Sequence, residues 1–172
     1  MLHLSEEKII EGCLKNDRAA QKALYDQYKS KMYTLAYRIT NSFEDAGDVL
    51  QEGFIYIFEN LPSFRGHSRL GTWIHTIIAR TALKKIRERI IFLDLENIDH
   101  HDVIDWGGEI DVQLLEKAIS ELPDGYRSVF TLYEIEGFKH SEIAGMMEIS
   151  VNTSKTQLHK AKRLLIQKLS GI

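Results

Sequence analysis

Apolar positions along the 172-residue chain recur with a helical period, and strand-like alternation is nearly absent. Phe54, Ile57, Phe58 and Leu61 fit one helical face. Leu70, Trp73, Ile74, Ile77 and Ile78 repeat at i, i+3, i+4, i+7 and i+8, and Leu158, Ala161, Leu165 and Leu169 form another such run. Trp73 lies within its stripe, so its ring is expected in a core. Both prolines follow leucine, at Leu61-Pro62-Ser63 and Leu122-Pro123-Asp124-Gly125, where they begin or end helices rather than interrupt them. There are no internal repeats. The pattern predicts an all-α fold.

Residues 93–111 break the period. Leu93, Leu95, Ile98, Val103 and Ile104 show no sustained spacing, and Gly107-Gly108 interrupts any helix. A stretch of this length without a regular element is long for a loop inside one domain. It therefore predicts a flexible linker between a helical unit over 1–92 and a smaller one over 112–172, the latter marginal in stability by itself.

Composition adds little until it is resolved by region. Apolar residues at 44% and charged residues at 27% are ordinary for a globular chain. No apolar run approaches the ~20 residues of a membrane span, and the opening MLHLSEEKII lacks the apolar core of a signal peptide. A cytoplasmic protein with no direct membrane insertion is expected. The single cysteine, Cys13, rules out an internal disulfide and reads as a small core residue. The net charge of −3 argues against a nucleic-acid partner, but it averages over opposed segments. The 93–111 stretch holds seven acids and no Lys or Arg. Pro62 to Arg89 carries seven basic residues against Glu88 alone, and Ile149 to Ile172 carries five with no acid. Two basic patches thus flank an acidic connector.

The C-terminal patch coincides with a helix-turn-helix pattern over His140 to Leu165. A short helix turns Ile143, Ala144 and Met147 inward, and Glu148-Ile149-Ser150 forms the turn with Ile149 buried. Ser150 caps a second helix. That helix carries Val151, Leu158, Ala161 and Leu165 inward. It presents Asn152, Lys155, Thr156, His159, Lys160, Lys162 and Arg163 outward, as a helix entering the DNA major groove would.

In the N-terminal unit Asp45, Asp48 and Glu52 share a helical face beside Gln51, with no histidine, phosphate loop or nucleophile motif near them. The loop Arg65-Gly66-His67-Ser68-Arg69 precedes an amphipathic helix whose Arg80, Lys84 and Arg87 share one face. That suits a nucleic-acid backbone, or single-stranded bases drawn out of a duplex. His100-His101 beside Asp99 and Asp102 makes no metal site, because adjacent histidines diverge and no spaced partner follows. No metal, cofactor or catalytic residue is expected.

Taken together, DAGDVLQEGFIYIFENL, FRGHSRLGTWIHTIIARTALKKIRER and ELPDGYRSVFTLYEIEGFKHSEIAGMMEISVNTSKTQLHKAKRLL resemble the bacterial RNA polymerase sigma factors, in particular the short extracytoplasmic-function (ECF) group. The resemblance spans about residues 5–169. It implies a sigma region 2 helical bundle over 1–92, the acidic linker, and a sigma region 4 helix-turn-helix over 112–172. It implies core RNA polymerase docking through Asp45, Asp48, Val49, Gln51, Glu52, Ile55 and Phe58. Promoter −10 recognition would fall to Arg65, Gly66, His67, Ser68, Arg69, Arg80, Lys84 and Arg87. The −35 element would be read by Asn152, Thr153, Lys155, Thr156, Gln157, His159 and Lys160. It also implies an anti-sigma partner, commonly membrane-tethered, and a linker that threads the RNA path of the polymerase.

The chain departs from the family pattern at several positions. Gly47 and Gly53 replace the usual Glu and apolar residue, Thr81 the usual Asn, Lys84 a frequent Asp, Glu148 the turn Gly, and Ser154 an apolar residue. An alternative reading of the same residues is a helix-turn-helix regulator that binds its operator without polymerase. A stand-alone enzyme is a third reading.

Overall fold

A computed structural model describes residues 6–87, 90 and 111–170, and every regular element among them is helical. The chain divides into two compact units, Met1–Lys85 and Ile86–Ile172. The boundary expected at 92/93 and the acidic stretch lie outside the described residues, apart from Asp111.

The first unit contains α1 (Glu6–Leu14), α2 (Arg18–Thr40), α3 (Phe43–Asn60), a 3-10 turn (Leu61–Ser63) and α4 (Leu70–Ile86). Local chemistry sets the helix ends. The Asp17 carboxylate accepts from the Ala19 N–H at 2.8 Å to start α2, which stops at Asn41 in the left-handed region (φ 53°). Ser42 then caps α3 by accepting from the Asp45 N–H at 3.1 Å, and Glu44 and Asp45 complement the positive end of the helix. Pro62 lies in the 3-10 turn, where no helical donor is needed.

The core of this unit joins Leu24, Met32, Leu35 and Ile39 of α2 with Val49, Phe54 and Ile57 of α3 and Leu70, Ile74 and Ile78 of α4, all buried. The Tyr25 ring meets Phe54 edge-on at 4.9 Å. Cys13 is buried on α1, as expected, and desolvation pushes its thiol pKa up. Trp73 and Ile77, expected in the core, are only half-buried.

The second unit contains α5 (Val112–Ser120), α6 (Asp124–Phe130) running into a π-helical turn (Thr131–Ile135), α7 (His140–Met147) and α8 (Val151–Ser170). Asp111 caps α5 and Pro123 immediately precedes α6. The long α8 packs on α5, α6 and α7. Ile119, Leu122, Val129, Leu132, Ile143, Leu158, Ala161 and Leu165 form the core. Arg127, 3% exposed, donates to the Leu122 carbonyl at 2.7 Å and pairs with Asp124, which holds the Leu122-Pro123 corner from inside.

The two unusual glycines of α3 have different surroundings. A Cβ on Gly53 would stand 2.4 Å from Ile78 Cδ1, so the small residue permits a close approach of α4. A Cβ on Gly47 would meet nothing within 4 Å. Gly47→Ala is therefore expected to stabilise the protein by about 1 kcal/mol through helix propensity. Gly53→Ala should fall short of that gain because Ile78, fully buried, has to move. Urea denaturation of the two variants side by side checks the difference.

Candidate functional site

The acidic face of α3 is engaged by α4. Lys85 Nζ lies 2.9 Å from Asp48 Oδ2 and 3.9 Å from Asp45 Oδ1. The hydrogen bond that Lys85 donates to the Asp48 carboxylate raises the Lys85 pKa; the Asp48, Asp45 and Glu52 charges add to this, and partial desolvation opposes it. Asp48, Gln51 and Glu52 are exposed, Asp45 and Phe58 half-buried, and Ile55 is 52% exposed. Val49 does not belong with them. It is fully buried, because it shares the inward stripe of α3 with Ala46, Gly53, Phe54 and Ile57.

Behind this face, α3 and α4 border a groove of about 450 Å³. Tyr56, Asn60 and Trp73 line it together with the basic Arg80 and Lys84, and Glu52 stands at its edge. Trp73 is thus a groove wall, with its ring 5.2 Å from that of Phe64. Thr81, also in the lining, donates its hydroxyl to the Ile77 carbonyl at 2.9 Å, so towards the groove its oxygen is an acceptor. Arg65, Gly66, His67, Ser68 and Arg69 are all exposed in the loop leading into α4, and Gly66 takes a φ of 71° that a side chain would resist. Arg80, Lys84 and Arg87 are exposed as expected.

In the second unit α7, a turn and α8 form the helix-turn-helix. Ser150 Oγ accepts from the Thr153 N–H at 2.9 Å, the cap read from the sequence. Ile143 and Ala144 are buried, Met147 and Ile149 half-buried. Val151, expected inward, is 42% exposed, because the inward stripe starts one turn later, at Ser154, and continues through Leu158, Ala161 and Leu165. Asn152 and Lys155 are exposed, Thr153 and Lys160 half-buried, and Arg163 exposed. Desolvation, then repulsion from Arg163, lowers the Lys160 pKa. Lys162 turns to Glu134 at 2.5 Å. The outward expectation fails for Thr156 and His159, at 8% and 9% exposure, and Gln157 is 2% exposed. Over 156–159 the helix is enclosed on more faces than its apolar period marks.

Residues 24–89 match the family model for Sigma-70 region 2, and residues 113–165 match that for Sigma-70, region 4. The ECF RNA polymerase sigma-E factor of Haemophilus influenzae is 30% identical over 98% of this chain and 97% of its own length. The chain belongs to the ECF RNA polymerase sigma factors. The ECF sigma factor SigW of Bacillus subtilis is similar at 29% identity, covering 96% of this chain and 97% of that one.

Two solved structures share the fold. RpoE of Bartonella quintana, in complex with the anti-sigma factor NepR, gives a TM-score of 0.60 at 20% identity over 87% of this chain and 96% of its own. CnrH, in complex with the cytosolic domain of CnrY, gives 0.57 at 18% identity over 95% and 96%. This sigma factor directs transcription initiation with RNA polymerase as a non-catalytic subunit. The enzyme and polymerase-independent regulator readings are set aside, since both sigma regions are matched in order along one chain. No helix among the described residues is long and apolar enough to cross a membrane.

Sequence reasoning missed Lys85 as the partner of the acidic face. The two lie 37 residues apart with no local signal, although an acidic stripe next to a basic helix was a hint. It also missed what Glu148 costs. Glu148 ends α7 in the left-handed region (φ 56°), where a glycine would be unstrained. Glycine there relieves roughly 1–2 kcal/mol of strain but adds a smaller entropy to the unfolded chain. A net stabilisation of about 0.5–1 kcal/mol is expected for Glu148→Gly, read from the urea midpoint.

Proposed function

We propose that the sigma factor docks on core polymerase through the exposed edge of α3, with Asp45, Asp48, Gln51, Glu52, Ile55 and Phe58. The loop 65–69 with Arg80, Lys84 and Arg87 meets the promoter −10 region, and the first turns of α8 read the −35 element through Asn152, Thr153, Lys155 and Lys160. Residues 1–92 and 112–172 act as the two promoter-contacting domains. The observation that carries this division of labour is the separation of charge: an acidic, partly apolar edge on α3, a basic exposed loop and helix face beside it, and exposed Asn152 and Lys155 at the capped start of α8. Opposed signs on adjacent helices suit a protein partner and a polyanion bound at the same time.

An anti-sigma factor is a further partner on this reading. RpoE and CnrH were both solved with proteins bound, NepR being an anti-sigma factor, and CnrY contributing its cytosolic domain. A cytoplasmic site of action follows from the polymerase partner.

The test is transcription from a genomic fragment library with core polymerase lacking any sigma. Discrete transcripts downstream of a shared two-part motif support the reading; failure to bind core rejects it. Lys155→Ala is expected to lower promoter affinity several-fold and to reduce the salt slope by about one, with core affinity unchanged. Glu52→Lys should weaken core binding by about tenfold or more and spare duplex binding by α8. Titrations of each variant against core and against promoter DNA separate the two effects.

A further inference from the structure

Ser154 is a hydroxyl at the head of an otherwise apolar stripe. It is fully buried, and it lies in the same helical turn as Asn152 and Lys155. A buried hydroxyl without a partner is costly, so what it bonds to matters. Its Oγ lies 2.8 Å from Nδ1 of His140, the first residue of α7. The imidazole in turn stacks on Tyr133, with ring centroids 4.2 Å apart and planes 20° from parallel. Tyr133 belongs to the π-helical turn that follows α6. One polar contact therefore joins the starts of α7 and α8 and is backed by a third element.

Apolar packing is non-directional, and an aliphatic residue at 154 would tolerate a modest rotation of α8. A hydrogen bond is directional and weakens steeply when bent. With side chains reaching ~5–6 Å from the helix axis, a rotation of about 10° displaces their ends by roughly 1 Å, the scale on which binding sites lose function. Lys155, next to Ser154, would move by that much or more.

We propose that His140 and Ser154, with Tyr133 behind the imidazole, are positioning residues that set the rotation of α8 in the DNA groove. Through that rotation they set how strongly this sigma factor discriminates its upstream promoter element. The proposal rests on the −35 reading of α8. Neither side chain touches DNA in this scheme; both act through Asn152 and Lys155.

The test uses the full chain assembled with core polymerase. Affinity is measured for a promoter fragment recovered by the transcription assay, and for the same fragment with its upstream element scrambled. Core affinity and the urea midpoint are followed in parallel. Ser154→Ala and His140→Phe are expected to cut the intact-to-scrambled ratio about fivefold each, with core affinity unchanged, and to be non-additive in combination. His140→Asn, whose amide falls near Nδ1, should restore the ratio to within about twofold, whereas His140→Gln, whose amide falls near Nε2, should not. The apolar pair His140→Phe with Ser154→Val should recover the urea midpoint but not the ratio.

An unchanged ratio in Ser154→Ala, equal recovery by Asn and Gln, or recovery of the ratio by the apolar pair would each overturn the proposal. A wild-type protein that binds intact and scrambled fragments equally would instead overturn the −35 reading on which it rests.

Discussion

In the N-terminal unit, the approach of α4 to the backbone of α3 at Gly53 governs what the rest of the surface can do. Ile78 fills the space that a side chain at 53 would take. On the same pair of helices Lys85 lies within hydrogen-bonding distance of Asp48, and Arg80 and Lys84 line a groove with Tyr56 and Trp73. A side chain at 53 would have to displace the tip of Ile78, which is fully buried. The glycine that weakens α3 as an isolated helix therefore has a packing reason, whereas Gly47, with open space around it, has none in the structure.

Charge is arranged locally rather than globally. The chain as a whole is slightly acidic, yet the loop before α4, the outer face of α4 and the start of α8 present basic side chains to solvent. At physiological salt, exposed charges more than ~8 Å apart are largely screened from one another. A polyanion near Arg80 or Lys155 therefore responds to its immediate surroundings and not to the net charge. Lys85 is the exception among the basic residues of α4, since it faces the acidic edge of α3 and offsets part of it.

The second unit depends on α8, which touches every other helix of the unit. The stripe through Leu158, Ala161 and Leu165 is headed by Ser154, whose hydroxyl is matched by His140 across the helix-turn-helix. Glu148 holds the turn in a conformation better suited to glycine. The turn is thus held by the flanking packing of Ile143, Ala144 and Leu158 and by the cap at Ser150, rather than by the preference of its own residue.

Helix type, helix ends and family membership were legible in the sequence, because each depends on neighbours a few residues away or on motifs in order. The Ser150 cap, the prolines at helix boundaries and the stripes through Ile57, Ile78 and Leu165 are of this kind. The period gives a face to each helix but does not say how wide that face is or what lies opposite. For that reason Trp73, expected in the core, walls a groove, and Val151, expected inward, precedes a stripe that begins at Ser154; Val49, which the family resemblance implied for the docking surface, is core. Burial of Thr156, Gln157 and His159, the Lys85–Asp48 pair and the His140–Ser154 bond were decided only in three dimensions. Each depends on the distance between elements remote in sequence, which no local pattern records.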